Sequence, residues 1–230
     1  MEDASKDVLF TIALNLELPE LLKWCSSSSR INVNVCQNND LWRSKLLKDY
    51  PNEYSDYQKF GLNRSLREIY VFFYQLSYIK KLLYTNENLY DIFLRKELNL
   101  SNKGLKRVPA FDLPNLERLD LSDNKLTEVP VFDLPNLQIL NLYNNKLTKV
   151  PAFFLPNLQV LYLHSNKLTE VPAFDLPNLQ KLYLWYNQLK EVPAFHLSNL
   201  QYLSLSNNQL TKLPTFHLPN LQTLTLSNTS

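Results

Sequence analysis

Prolines recur every 21 residues in the second half of the chain, and this regularity restricts the possible folds more than any other feature. Eleven of the thirteen prolines follow residue 100. One series runs from Pro109 to Pro214 and another from Pro114 to Pro219, with Ser198 replacing one proline. Self-similarity at a fixed period of 20–50 residues is the signature of a solenoid. Two prolines per unit would interrupt a long helix, so we expect extended chain or short 3₁₀ turns on the convex side.

Each unit also carries the pattern Leu-x-x-Leu-x-Leu-x-x-Asn-x-Leu, which is first complete at residues 116–126. Leu119 and Leu121 alternate with polar neighbours, which is the period of a short strand with one buried face. Stacked units would place these strands in a parallel sheet over one leucine core. A phenylalanine recurs at the same period from Phe111 to Phe216 and is expected to form a stacked aromatic spine.

This unit resembles the leucine-rich repeat family, at the short end of its range of repeat lengths, over roughly residues 95–230. The resemblance implies an α/β leucine-rich repeat solenoid with short parallel strands and a non-helical convex side, in about six units with the last one truncated. In that family the Asn after each strand turns inward and satisfies backbone groups of neighbouring units. The positions concerned are Asn124, Asn145, Asn166, Asn187 and Asn208.

Aromatic side chains cluster on the predicted concave face of the middle units. Residues that flank the strand leucines point away from the core, and they form columns about 4.8 Å apart from strand to strand. We call the cluster the aromatic ladder and take it as the candidate partner-binding surface, because Tyr and Trp dominate interface hot spots. An alternative is that the rings only cover one another on the sheet. The ladder comprises Tyr143, Tyr162, His164, Tyr183, Trp185, Tyr186 and Tyr202.

Residues 1–94 contain few prolines, and their apolar residues follow a helical period, which predicts a separate small all-α domain. Ser5 is placed to cap a first helix and Asn39 a later one. The capping box formed by Ser65 and Glu68 predicts a long helix that ends near Leu83.

Part of this domain resembles the F-box, through the segments Asp7-Val8-Leu9, Leu18-Pro19-Glu20-Leu21-Leu22 and Asp40-Leu41-Trp42. Ala4-Ser5 stand where that family has Leu-Pro. The resemblance implies docking onto a Skp1-like adaptor of cullin-based ubiquitin ligases. The whole chain is similar to the F-box and leucine-rich repeat proteins of large DNA viruses, which implies a host-interaction role in the host cytosol. The implied adaptor-binding residues are Asp7, Val8, Leu9, Ile12, Leu18, Pro19, Leu22 and Trp42.

Two functions are therefore expected for the chain. In the first, it is a non-enzymatic adaptor that recruits a protein target on the concave face to a ubiquitin ligase. In the second, it is a structural or scaffolding binding protein whose helical domain only caps the solenoid. The last unit, which begins at Leu221, has no polar cap after it. Three explanations of this open edge compete: the last strand pairs with a second copy, the natural chain is longer, or the exposed end is tolerated; the first two are favoured equally.

Composition excludes several other classes of function. The two glycines, Gly61 and Gly104, are too far apart to build a phosphate-binding loop, and a net charge of +2 gives no footprint for nucleic acid. No segment reads as a signal peptide or a membrane span. Cys25 and Cys36 do not have metal-ligand spacing, and so few cysteines indicate a reducing compartment. We therefore expect a cytoplasmic protein with no catalytic residues, metal or cofactor.

Overall fold

The computed structural model describes residues 6–228, apart from the side chains of residues 6, 30, 33 and 34. The chain divides into two compact units, one ending at Ile92 and the other beginning at Phe93. We call them the helical unit and the solenoid unit. The predicted cap at Ser5 and the Ala4-Ser5 dipeptide lie outside the described residues.

The helical unit consists of short helices and one long helix, which confirms the predicted helical region. Its elements are α1 (Lys6–Asn15), α2 (Leu18–Ser26), α3 (Ser29–Ile31), a π-helix (Asn32–Cys36), α4 (Asn39–Asp49), α5 (Pro51–Ser55), a 3₁₀ turn (Tyr57–Phe60) and α6 (Leu66–Leu83), followed by α7 (Leu89–Phe93).

Local sequence signals determine where two of these helices begin. Ser65 caps α6, with the Glu68 N–H donating to the Ser65 hydroxyl and the Ser65 N–H donating to the Glu68 carboxylate. The helix then continues to Leu83, as predicted. The cap of α4 is Asn38, whose side chain accepts from the Asp40 N–H at 2.8 Å, and not Asn39 as predicted.

The core of the helical unit lies where α4 packs against α6. Trp42 is 1% exposed, and its ring centroid lies 5.7 Å from that of Tyr70. The Trp42 indole N–H donates to the carbonyl of Cys36 at 2.8 Å, so its single polar atom is satisfied within the core. Lys45 is also buried, and its ammonium group donates to the Leu16 carbonyl at 2.9 Å, just beyond the end of α1.

The two cysteines differ from the sequence-based expectation. Cys25, near the end of α2, and Cys36, at the end of the π-helix, form a disulfide with their Cα atoms 5.9 Å apart. Their spacing could not reveal the pairing, because it depends on how α2, α3 and the π-helix pack together. Disulfides form in oxidising environments, so the cysteines do not support the argument for a reducing compartment. A cytoplasmic location stays a prediction.

The solenoid unit is a parallel sheet in which sequential strands are always neighbours. The central leucine of each strand pairs with the central leucine of the next, so the register repeats every 21 residues. No helix follows β1 within the described residues, which agrees with the predicted non-helical convex side. The strands are β1 (Glu97–Asn99), β2 (Arg118–Asp120), β3 (Ile139–Asn141), β4 (Val160–Tyr162), β5 (Lys181–Tyr183), β6 (Tyr202–Ser204) and β7 (Thr223–Thr225).

The inward-facing asparagines join consecutive units, as the resemblance implies. Asn124 is 7% exposed, and its amide N–H groups donate to the carbonyls of Leu100 in the preceding unit and Leu121 in its own. Its side-chain oxygen accepts from the N–H groups of Lys103 and Leu105. One side chain thus satisfies backbone groups that a buried bend would otherwise leave unpaired.

The predicted phenylalanine spine is confirmed on the opposite side of the leucine core. Consecutive rings from Phe111 to Phe216 stack with centroids 6.0–6.4 Å apart and planes within 13° of parallel. Toward residue 228 core positions become accessible: Leu213, which precedes the last unit, is 43% exposed and Leu224, at the centre of β7, is 39% exposed. Within residues 6–228, β7 pairs with β6 alone, so its other edge is unpaired there and partly apolar.

Candidate functional site

The sheet register brings the aromatic ladder together on the face of the strands that is opposite the leucine core. Tyr162 and Tyr183 are directly paired at the ends of β4 and β5. Tyr143, His164 and Trp185 each come three residues after the central leucine of their own unit, so they also form a column. The side chains of a strand alternate between its two faces, which is why the leucines are buried while these rings reach the surface.

The rings form two stacks that run across the strands. In one, His164 lies between Tyr143 and Trp185, with centroid distances of 4.4 and 4.5 Å. In the other, Tyr162 stacks on Tyr183 at 4.7 Å, and Tyr202 continues the stack at 4.9 Å. Tyr202 belongs to a different column, so it reaches Tyr183 diagonally. The ladder is therefore one continuous aromatic surface.

His164 is the centre of this surface and joins the two stacks. Its ring lies 5.9 Å from Tyr162 and 6.0 Å from Tyr183 in addition to its two stacking partners. Burial lowers the pKa of His164 to about 4, so the imidazole is neutral near pH 7. Its Nδ1 is buried and finds no hydrogen-bond partner among the described residues. His164 therefore acts here as a neutral aromatic ring, not as a proton donor or a charged group.

Tyr186 occupies a backbone conformation that tyrosine seldom adopts. In every unit from β1 onward, the residue directly before the inward-asparagine position has a left-handed backbone. In the unit of β5 this residue is Tyr186, with φ of +52°. The equivalent residues are mostly Asn or Asp, which tolerate this region better than a bulky side chain does. Tyr186 is 55% exposed, and its ring contacts Trp185 edge-on at 5.1 Å. The fold thus holds an exposed aromatic side chain at a strained position beside the ladder. The positions are Asn102, Asp123, Asn144, Ser165, Tyr186, Asn207 and Asn228.

Apart from the exposed Tyr186, the ladder residues are partly exposed, between the buried and exposed extremes. The rings do cover one another, as the alternative interpretation of the sequence proposes. Stacking hides their faces, however, and leaves each ring partly open to solvent. All seven predicted concave residues thus lie on one surface.

The N-terminal part of the same face is polar, and its hydrogen-bond network was not singled out from the sequence. Asp120 accepts from the Ser122 hydroxyl at 2.6 Å and from the Asn141 amide at 3.2 Å. A shallow cavity of about 290 Å³ lies here and reaches Tyr162. These polar residues recur at the same 21-residue spacing as the aromatic residues of the ladder. That spacing is the sequence signal that could have identified them as part of the same face.

The residues implied by the F-box resemblance are not on one exposed surface. Leu9, Leu18 and Trp42 are buried in the helical unit. The others are accessible to different degrees: Asp7, Val8 and Pro19 are exposed, whereas Ile12 and Leu22 are half-buried.

The described residues contain no group of three or more His, Cys, Asp or Glu side chains that could hold a metal ion. Between residues 6 and 228, every helix is too short or too polar to cross a bilayer.

Two bacterial proteins of known structure have similar folds. YopM of Yersinia enterocolitica is 29% identical with a TM-score of 0.55, and the match covers 79% of this chain and 37% of YopM. A leucine-rich repeat protein of Leptospira interrogans is 32% identical with a TM-score of 0.51, and the match covers 61% of this chain and 46% of that protein. The chain therefore spans less than half the length of either relative. No curated protein matches it.

A family model described as leucine-rich repeats in two copies matches the solenoid six times in overlapping windows. The windows are residues 96–134, 114–155, 135–176, 156–195, 177–213 and 198–230. Together they cover more than half of the chain, in the same phase as the strands and inward asparagines described above. Solenoids of this class are protein-binding scaffolds with an extended binding surface. The chain belongs to the leucine-rich repeat family.

Proposed function

We propose that the chain is a protein-interaction adaptor that holds a protein partner against the aromatic ladder. The observation that carries this proposal is the pair of partly exposed ring stacks centred on His164. Rings that support one another lose little side-chain entropy on binding, because the surface is already ordered. Ser206, which is half-buried at the C-terminal end of the central column, supplies part of a polar rim.

Truncation of the ladder tests the proposal. Trp185→Ala together with Tyr162→Ala should weaken binding of a selected partner by at least about 30-fold, since each is a hot-spot ring. Phe154→Ala is the matched control, because Phe154 is a 72% exposed aromatic residue outside the ladder. Circular dichroism shows whether both variants remain folded. If the ladder variant and the control bind equally well, the ladder is not the partner site.

We further propose that the helical unit provides the second contact of the adaptor, in the manner of an F-box, with a Skp1-like protein. Val8 is 50% exposed and lies with Pro19 among the accessible residues of α1 and α2. Val8→Asp should then abolish Skp1 binding, whereas Thr11→Asp, an exposed position on the same helix, should preserve more of it. Failure of the unchanged chain to bind Skp1 at micromolar concentration contradicts this part of the proposal. A host-cytosolic role of the kind found in large DNA viruses depends on the same result.

The disulfide favours a second candidate function, a scaffolding protein of an oxidising compartment in which the helical unit has only a structural role. Cys25 and Cys36 are both buried, so the crosslink belongs to the core of that unit. In this case, deletion of residues 1–60 lowers stability but leaves binding at the ladder unchanged. Loss of partner binding in a deletion variant that is still folded contradicts the scaffold function.

We also propose that the open β7 edge pairs with a second copy of the chain. Leu224 is accessible there, and within the described residues β7 pairs with β6 alone, which leaves the strand groups of its other side unpaired. Light scattering should then give the mass of a dimer, and Leu224→Pro should convert it to a monomer. The Thr223 N–H already donates to Gln201 of the preceding unit, whereas the Leu224 N–H faces the open side of β7. A monomer for the unchanged chain contradicts this arrangement.

A further inference from the structure

A cavity of about 410 Å³ in the helical unit is lined mainly by tyrosines and carboxylates. We call it the tyrosine cavity. Tyr70, Tyr74 and Tyr78 recur every four residues along one face of α6. The lining includes Tyr50, Tyr70, Tyr74, Tyr78, Glu17 and Asp49.

The tyrosines of this open cavity offer aromatic surface with neutral hydroxyl groups. The rings of Tyr50 and Tyr70 meet edge-on with centroids 5.5 Å apart. Tyr74 and Tyr78 are only partly buried, so they remain available to a ligand. Burial raises the pKa of Tyr50 to about 12 and, with the help of nearby Glu17, also raises the pKa of Tyr74. The rings therefore keep the negative π-faces of neutral phenols.

The inner side of the cluster already holds one ammonium group. Lys45 Nζ lies 5.1 Å from the centroid of the Tyr70 ring, within the range of a cation–π contact. Asp49 lies 3.4 Å from the same ammonium and also accepts from the Tyr70 hydroxyl at 2.6 Å. Lys45 is thus balanced by Asp49, whereas Glu17 at the cavity surface adds negative charge on the outer side.

We propose that the tyrosine cavity binds an organic ammonium cation, with Tyr74 and Tyr78 on its sides and Glu17 as its counter-ion. Aromatic enclosures recognise quaternary ammonium groups because the rings attract the charge while their surfaces cover the methyl groups. An inorganic cation would fit less well, because Lys45 and Tyr70 already engage Asp49, and Glu17 is the other carboxylate of the lining. Lys81 also lines the cavity, and its positive charge opposes the ligand.

The ligand chemistry could come from a trimethylated lysine side chain or from a choline headgroup. The probes are therefore N-acetyl-trimethyllysine methylamide and glycerophosphocholine, each titrated against the full chain by calorimetry. A third probe, 3,3-dimethylbutanol, has the shape of choline without the charge. We expect at least one cationic probe to bind about tenfold or more tightly than the neutral one. The tighter cationic probe identifies the source of the ammonium group.

Three variants locate the binding. Glu17→Gln keeps the shape but removes the charge, and should weaken binding about five- to tenfold. Tyr74→Leu keeps apolar bulk on α6 and should weaken it by a similar factor, whereas Lys81→Met should strengthen it. Equal binding of the charged and neutral probes overturns the proposal, as does the absence of measurable binding at 10 mM probe, on the order of the weakest specific sites. Because the ladder lies in the solenoid unit, Trp185→Ala should leave this binding unchanged, which separates the test from that of the proposed function.

Discussion

Replacement of a single inward asparagine tests how the solenoid is held together. Asn166 lies beneath the centre of the aromatic ladder, and its amide donates to the carbonyls of Leu142, Leu163 and His164 at 3.0, 3.1 and 3.3 Å. Its side-chain oxygen accepts from the Leu147 N–H at 3.1 Å. Asn166→Ala removes all four hydrogen bonds in a buried position.

The four bonds do not contribute equally to stability. Each of the three carbonyls has a second hydrogen-bond donor that remains after the substitution. These donors are the Asn145 amide for Leu142, the Asn187 amide for Leu163 and the Asn144 N–H for His164. Each carbonyl thus loses one of two partners, at a cost of about 0.5 kcal/mol. The buried Leu147 N–H loses the bond to Asn166, at a cost of about 1–3 kcal/mol. The expected loss is about 2.5–4.5 kcal/mol, a large part of the stability of a typical domain.

Asn157→Ala is the matched control. Asn157 is exposed and makes one hydrogen bond, from its amide to the Pro135 carbonyl at 2.9 Å, so its loss should cost less than about 1 kcal/mol. Asn166→Asp is a second comparison, because it preserves the shape and the acceptor but removes the donors. Urea unfolding followed by circular dichroism gives the free energy of unfolding of each variant. If Asn166→Ala and Asn157→Ala destabilise the chain equally, the inward hydrogen bonds do not hold the units together.

Three further predictions concern single side chains of the solenoid. Tyr186→Asn should raise the free energy of unfolding by about 0.5–1 kcal/mol by relieving the left-handed strain, and should weaken partner binding; a drop in thermal midpoint would contradict it. Because the folded-state pKa of His164 lies below the usual value of about 6.5, stability should fall between pH 6.5 and pH 4, by on the order of 1 kcal/mol after allowing for solvent screening. His164→Phe should remove that part of the slope in urea midpoints measured against pH. Phe153→Ala should cost about 3–5 kcal/mol by opening the spine, and a cost below 1 kcal/mol would show that the spine can collapse around the gap.

The sequence predicts the solenoid well because the same pattern of residues recurs in every unit and supports the same assignment each time. The positions of Leu119, Asn124 and Phe111 are each repeated at the same period, so a single rule determines strand, turn and spine. The aromatic ladder follows from the same rule, since the register alone decides which side chains share a face. Strand stacking is a property of neighbouring units and needs no knowledge of distant contacts.

The helical unit was less predictable because its pairings occur once. The capping box at Ser65 is a local signal, and it located α6 correctly. The disulfide between Cys25 and Cys36 and the tyrosine cavity depend on how several helices pack, which no local pattern specifies. The strain at Tyr186 was also missed, because the left-handed backbone becomes apparent only when its equivalents in the other units are seen to share it.

The two ring series of the solenoid have different steps, and this difference determines the shape of a suitable partner. Paired rings of the aromatic ladder advance by 4.4–4.7 Å per unit, whereas those of the phenylalanine spine advance by 6.0–6.4 Å. Because the units lie closer together on the ladder side than on the spine side, the solenoid curves, and the aromatic ladder lies on its concave side. A rounded surface could touch all the rings at once, while a flat one would touch only the ends of the arc.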